Sequence, residues 1–256
     1  MTDRSIDLSV EVPGTVEEVW QAIATGPGIS AWFVPHTLEE REGGEVVLDY
    51  GSFGTATSTV SAWEPPHRLV LRGQDDERGG HLAFEWLIEA KDGGTCVVRL
   101  VNSGFGPGAE WDPDYDGMSG GWRLFLHNLL LHRTHFAGLA VARTIQPSVM
   151  TAGPAHRAWQ ALCDTLGIGS SLDEGARVSG GSLGLSGIID RATSEPAVSA
   201  YALVLDGPAP GTAIVTVEGE GDAVVASAWL YLYGPTAGSV DAAAWDALVA
   251  GALATG

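Results

Sequence analysis

The first pattern in the chain has the period of a β-strand. Residues 6–12 alternate apolar and polar side chains, and the apolar ones, Ile6, Leu8, Val10 and Val12, share one face. Alternation over this length is typical of a strand with one buried face. We therefore predict a half-buried strand at the beginning of the fold.

A helical pattern follows this strand. Thr15 and Glu18 have the spacing of a capping box, in which each side chain accepts a hydrogen bond from the backbone of the other residue. Apolar residues then recur at helical spacing, namely Val16, Val19, Trp20 and Ile23. We predict a short helix here, followed by a second helical turn over residues 29–34.

Five further strand-like runs are separated by glycine or proline, at residues 45–50, 54–63, 68–72, 81–89 and 95–102. Short strands joined by turns favour an antiparallel meander over parallel strands with helical crossovers. An amphipathic pattern over residues 120–138 predicts a helix of about five turns. The predicted fold class is α+β, with a curved antiparallel sheet, two short helices near its start and a long C-terminal helix.

The second half of the chain repeats the first. Trp20-Gln21-Ala22-Ile23 recurs as Trp159-Gln160-Ala161-Leu162, at an offset of 139 residues. Later matches pair Glu42-Gly43 with Glu174-Gly175, Glu64-Pro65-Pro66 with Ser194-Glu195-Pro196, and residues 94–98 with residues 211–215. The order is kept while the offset shrinks, which indicates a tandem duplication. We expect one domain over residues 1–138 and a degenerate second copy of the same fold over residues 139–256.

Composition agrees with two folded domains. The 256 residues are 45% hydrophobic and 18% charged, which argues against a disordered chain. The formal net charge of −19 would repel nucleic acid and anionic membrane surfaces, so neither is expected as a partner. No apolar run has the length of a signal peptide or a membrane span, and we expect a cytoplasmic protein. Cys96 and Cys163 are too few for a disulfide framework and are predicted to be buried free thiols.

Four motifs of the first half occur together in one known superfamily. They are the run from Pro13 to Trp20 with the later pair Trp32-Phe33, the run Pro65-Pro66-His67-Arg68-Leu69-Val70-Leu71, the segment Gly94 to Leu100 with Gly104-Phe105, and Gly121-Trp122 followed by Leu126 and Leu129. In this order they resemble the START-like (SRPBCC, helix-grip) superfamily, and within it the branch named after the activator of the heat-shock-protein-90 ATPase. The second half keeps the scaffold but loses much of this signature.

The resemblance implies an elongated cavity between the curved sheet and the long last helix. Members of the superfamily use this cavity for lipids, hormones and polyketides, and the fold alone does not fix the activity. The side chains that we expect to line it here are Trp32, Phe33, Tyr50, Trp63, Phe84, Trp86, Trp122 and Phe125. Ordinary core packing is the alternative for the same rings, and for Trp20 it is the favoured interpretation.

Polar groups offer fewer candidates for chemistry. Asp49, if buried, could act as a general acid or base, but the alternation of its strand favours a position facing solvent. Tyr50, Asn102 and Ser103 could face the cavity.

Two patterns suggest metal binding only superficially. Asp112, Asp114 and Asp116 begin like a calcium loop, but the twelfth position is Arg123 where a glutamate is needed, so we favour a mobile acidic loop at the cavity mouth. His127, His132 and His135 lack an evident further ligand and are expected at the surface or the rim. We expect no metal and no cofactor.

The favoured function is the binding of a small apolar or aromatic molecule in the first-domain cavity. One alternative is a protein-interaction module in the manner of a chaperone activator, whose acidic surface would dock a basic protein partner. The other is an enzyme of the cyclase or hydrolase type that acts in the same cavity, although no buried titratable group is evident from the sequence. Whether the protein is an enzyme stays open at this point.

Overall fold

Two seven-stranded antiparallel sheets make up the β-structure of the part of the chain that the structure describes. The structure, a computed structural model, describes residues 4–195, 198–221 and 223–253. The chain divides into two units, residues 1–138 and 139–256, and each unit contains one sheet with its own helices. The α+β fold class and the tandem helix-grip arrangement predicted from the sequence are confirmed. Within the described ranges, no helix is both long and apolar enough to cross a membrane.

The sheet of the first unit has the order β1-β7-β6-β5-β4-β3-β2. Its strands are β1 (Ile6–Pro13), β2 (His36–Leu38), β3 (Glu45–Asp49), β4 (Thr55–Glu64), β5 (Arg68–Gly73), β6 (Ala83–Lys91) and β7 (Thr95–Ser103). Its helices are α1 (Val16–Ala24), α2 (Gly26–Ser30) and α3 (Asp112–His135). The first strand therefore pairs with the last one, and α3 packs against β1. The short strand β2 was not predicted.

Local signals in the sequence account for the beginning of this unit. The predicted capping box is present, because the backbone N–H of Glu18 donates to Thr15 Oγ1 at 3.3 Å and the N–H of Thr15 donates to Glu18 Oε2 at 3.2 Å. Both bonds satisfy donors that a helix start leaves unpaired. The helix then buries Val19, Trp20 and Ile23 against the rest of the unit.

Helix α3 begins eight residues earlier than the amphipathic pattern predicts. Residues 112–119 form its first two turns, so the acidic segment is not the mobile loop that the sequence suggested. Proline in the first turn and the carboxylates of Asp112 and Asp114 near the helix N-terminus both favour this start. In addition, Arg78 reaches over from the loop between β5 and β6 and binds Asp114 at 2.6 Å.

The second unit has the same topology, with one α-helix fewer among its described residues. Its strands are β8 (Arg143–Ile145), β9 (Ser148–Thr151), β10 (Arg177–Gly180), β11 (Leu185–Glu195), β12 (Val198–Gly207), β13 (Gly211–Glu220) and β14 (Ala223–Leu232). Its helices are α4 (Ala155–Leu166) and α5 (Ala242–Leu253). Because β8 and β9 both pair with β14, they together take the place of β1, while β10 to β14 correspond to β3 to β7.

Two differences separate the second unit from the first. A single helix, α4, lies between β9 and β10 among the described residues, where two short helices were predicted. Its last helix has 12 residues against 24 in α3. The segment that follows α4 is held instead by side chains of the core, because Trp159 Nε1 donates to the carbonyl of Ser170 and the N–H of Leu172 donates to the hydroxyl of Tyr201, each at 2.8 Å.

The topology corrects one of the repeat matches. Residues 211–215 begin β13, the counterpart of β6, whereas residues 94–98 lie at the start of β7, so this repeat match was displaced by one strand. The match of Glu64 with Ser194 is consistent with the topology, since both lie at the ends of equivalent strands. Pro196, which it pairs with Pro66, lies outside the described residues. A glycine followed by threonine can begin any strand of a meander, which is why this short match misled.

Candidate functional site

A connected group of aromatic rings occupies the space between the sheet and α3 in the first unit. We call it the ring network, and it consists of Trp32, Phe33, Tyr50, Phe84, Trp86, Trp122 and Phe125. Phe33 is its centre, with ring centroids 4.5 Å from Phe125 and 4.8 Å from Trp122. The network therefore joins the turn after α2, the strand β6, the residue that follows β3, and the long helix.

The ring network runs from the interior of the unit to its surface. Trp32 and Trp86 are fully buried, with their centroids 5.8 Å apart and their planes nearly perpendicular. Tyr50, Phe84 and Phe125 are half-buried. Edge-to-face contacts of this kind stabilise aromatic clusters beyond the area that they bury.

Hydrogen bonds fix the turn that carries Trp32 and Phe33. The indole Nε1 of Trp32 donates to the carbonyl of Ala22 in α1 at 2.8 Å. Asn128 Nδ2, on α3, donates to the carbonyl of Trp32 at 2.7 Å. The turn is thus tied to two helices, which places Phe33 at the centre of the network.

Trp63 is the one predicted lining residue that lies elsewhere. Its ring packs against Trp20 in a T-shaped contact at 5.0 Å, and none of its described ring contacts is to the network. Trp20 itself is buried, as the core-packing interpretation expected. Seven of the eight aromatic side chains selected from the sequence therefore come together.

Two buried histidines were not recognised in the sequence as parts of this interior. His36 lies 5.5 Å from the Phe33 ring, and its Nδ1 lies 2.6 Å from the carbonyl of Val34. His132 on α3 is also buried, so the expectation that it lies at the surface or rim was wrong. Burial lowers the pKa of each imidazole to about 4, and for His132 the charge of Arg133 adds to this effect. Both rings are therefore neutral at pH 7.

The polar residues selected from the sequence separate into two groups. Asp49 is exposed and accepts a hydrogen bond from the N–H of Gly51 at 2.9 Å, so it is not available inside the unit. Tyr50 belongs to the ring network, and burial raises its pKa to about 12. Asn102 is fully buried at the inner face of β7, while Ser103 is half-buried.

Two side-chain amides in the interior have an unsatisfied oxygen. Asn102 Nδ2 donates to the carbonyl of Ala83 at 3.2 Å, and Asn128 Nδ2 donates to the carbonyl of Trp32 at 2.7 Å. The Oδ1 atoms of Asn102 and Asn128 are buried and have no hydrogen-bond partner. A buried acceptor without a donor is costly, so such atoms are rare in folded proteins.

The acidic segment of the supposed calcium loop has a structural use. Arg78 lies over the ring of Trp111 at 4.0 Å and pairs with Asp76 and Asp114 at 3.0 and 2.6 Å. Because Asp112, Asp114 and Asp116 are on a helix, they cannot wrap around an ion as a calcium loop does. No cluster of three or more His, Cys, Asp and Glu side chains in the described ranges could hold a metal.

Two surface depressions lie apart from the ring network. One, of about 460 Å³, is bounded by the turn before α4 and the end of α5, and Arg157 is its charged residue. The other, of about 450 Å³, is a polar groove along β3, β4 and β5 beside Thr57, Arg72 and Gln74. Neither contains any of the residues that the sequence selected as a site.

Residues 13–130 match the family model described as activator of Hsp90 ATPase homolog 1-like protein. This match covers most of the first unit. The match includes both the ring network and the two buried amides, so these features lie inside the matched region. No curated protein matches the sequence.

Solved structures of similar fold have low sequence identity to this chain. DynU16, a putative protein in the dynemicin biosynthetic locus, is 16% identical, with 98% of each chain covered and a TM-score of 0.46. The di-domain ARO/CYC BexL from the BE-7585A biosynthetic pathway is 14% identical, with 98% of this chain and 94% of that chain covered and a TM-score of 0.46. Aha1 from Colwellia psychrerythraea is 15% identical, covers 53% of this chain and 99% of its own, and has a TM-score of 0.45. At these values the similarities carry no information about what this chain binds.

Proposed function

We propose that the first unit binds a small apolar or aromatic molecule between its sheet and α3. The observation that carries this proposal is the ring network, which extends without a break from the buried Trp86 to the half-buried Tyr50, Phe84 and Phe125. Aromatic side chains that reach the surface in this way provide both an entry and an apolar lining. A ligand would be inserted among the half-buried rings and stack on the buried ones.

The charge state of the interior supports binding in preference to acid–base catalysis. His36 and Tyr50 adjoin Phe33 and are both neutral at pH 7, because burial lowers the pKa of the first and raises that of the second. Asp49, the carboxylate considered for proton transfer, is exposed, as the alternation of its strand predicted. A neutral lining suits a neutral ligand, since a charged one would lose its hydration without gaining a counter-charge.

Binding can be tested by NMR, because the indole N–H signals of tryptophan report on both units at once. Naphthalene and 1-methylnaphthalene are suitable probes, and single Trp→Phe variants assign the signals. Titration should shift the signals of Trp32, Trp86 and Trp122. The signals of Trp159 and Trp245, which lie in the core of the second unit, should stay in place.

Two variants test whether probe binding depends on the ring network or on the separate aromatic pair Trp20 and Trp63. Phe33→Leu keeps an apolar side chain at this position but removes the central ring. It should raise the Kd of both probes about tenfold, since each ring contact is worth about 1 kcal/mol. Trp63→Phe changes a ring that packs on Trp20 outside the network and should leave Kd within about twofold of wild type. Absence of any shift at saturating probe, or equal effects of the two variants, would contradict the proposal.

A further inference from the structure

The two unpartnered amide oxygens lie beside the ring network. Asn102 is the cross-strand neighbour of Phe84, whose ring lies 5.7 Å from that of Trp122. Asn128 bonds to the carbonyl of Trp32, which is also a member of the network. The amides therefore flank the same group of rings, one on the sheet and one on α3.

The orientation of each amide is determined by its surroundings. In both side chains the Nδ2 group faces a main-chain carbonyl, that of Ala83 for Asn102 and that of Trp32 for Asn128. Rotating either amide by 180° would place two oxygens against each other, so the atom left over is an acceptor in both cases. Both side chains have no exposed surface.

The two unpartnered amide oxygens are hydrogen-bond acceptors, so a ligand must bring a donor group to pair with them. Leaving them unpaired lowers the stability of the unliganded protein, and a donor group brought in by a ligand would recover that free energy. A carboxylate cannot supply it, because it offers only acceptors when ionised. Arg133, the one buried arginine of the described chain, is bound to the carbonyl of Pro13 and to Glu18 at 3.1 Å each, and so is not free to pair with an anion.

From this arrangement we infer that the site selects uncharged aromatic molecules that carry hydroxyl donors, with Asn102 Oδ1 and Asn128 Oδ1 as the specificity-determining acceptors. The inference rests on the proposed function, because it assigns the chemical class of the ligand to the same ring network. The rings supply affinity for the aromatic body, and the two amide oxygens distinguish a hydroxyl from a methyl group of the same size.

The test compares 1-naphthol with 1-methylnaphthalene, which has nearly the same shape but no donor. For each protein the measured quantity is the Kd of 1-methylnaphthalene divided by that of 1-naphthol. The transfer of each probe out of water is the same for every protein, so it cancels when ratios are compared. Asn102→Leu should lower the ratio at least tenfold, which corresponds to about 1.4 kcal/mol, and Asn128→Leu should lower it in the same direction.

A control and a stability measurement distinguish this role from a structural one. Thr216 in the second unit also has a buried, unpartnered side-chain oxygen, so Thr216→Val is the matched control and should leave the ratio unchanged. The unfolding midpoint of unliganded Asn102→Leu should stay close to that of wild type, because the variant removes an unsatisfied acceptor but also the hydrogen bond from Nδ2 to the carbonyl of Ala83.

The failure of this inference differs from the failure of the proposed function. If both probes bind but neither asparagine variant changes the ratio by more than about twofold, the inference is overturned and aromatic binding stands. Binding of 1-naphthoate as tight as that of 1-naphthol would overturn it as well. If no probe binds wild-type protein, the proposed function fails and the inference fails with it.

Discussion

Acid should destabilise the first unit through two buried imidazoles. His36 and His132 have a pKa of about 4 in the folded protein, against 6.5 for an ordinary histidine. A group with a lowered folded pKa binds its proton more readily in the unfolded chain, so the free energy of unfolding falls as the pH drops below about 6.5 and stops falling near pH 4. The full effect of a shift of this size is about 3.4 kcal/mol per histidine.

The perturbation is a change from pH 7.5 to pH 5.0. At pH 5.0 nearly all unfolded chains carry the proton while few folded ones do, so each histidine should remove about 2 kcal/mol of stability and the pair about 4 kcal/mol. His36→Asn abolishes one titration while keeping a donor for the carbonyl of Val34. Its loss of stability between the two pH values should therefore be about 2 kcal/mol smaller than that of wild type.

Urea unfolding followed by tryptophan fluorescence measures this difference, because six of the nine tryptophans lie in the first unit. Other groups titrate in both proteins and cancel in the comparison of wild type with variant. The exposed His81 provides the control, since His81→Asn removes an imidazole that is not buried. The same pH dependence in His36→Asn as in wild type would refute the reasoning that His36 is buried in its neutral form.

Three further predictions concern packing and reactivity. Gly117→Ala should stabilise the protein by about 0.5–1 kcal/mol in thermal unfolding, because this exposed position of α3 has open space for a Cβ and alanine is the better helix former; a loss of stability would show that the first turns of α3 are not helical in solution. Gly80→Ala should destabilise by about 1–3 kcal/mol, since its Cβ would lie 2.4 Å from the ring of Trp111, and an unchanged midpoint would contradict that close contact. Cys96 and Cys163 are buried thiols, and burial raises the pKa of both, to about 12 for Cys163. Both should therefore resist a thiol-specific reagent at pH 8 and react after denaturation, and rapid reaction of the native protein would contradict their burial.

The sequence by itself determined the features that depend on neighbouring residues. The strand beginning at Ile6, the capping box of Thr15 and Glu18 and the antiparallel meander were all predicted, and the structure has each of them. These features arise from periods of two or 3.6 residues and from bonds over three residues, so a short window of sequence contains them. Large apolar rings also had to be buried somewhere, which is why all seven rings of the ring network could be selected in advance.

The tertiary structure decided what depends on how strands and helices meet. Trp63 and Phe33 were both predicted from the sequence to line the cavity. In the structure Trp63 packs on Trp20, whereas Phe33 lies at the centre of the ring network. The burial of His132 and the start of α3 at Asp112 likewise depend on partners that are distant in sequence, such as Arg78. The clearest case is the pair Asn102 and Asn128, because whether an amide oxygen has a donor depends on every group around it, and that is a property of the packed interior rather than of any segment of the chain.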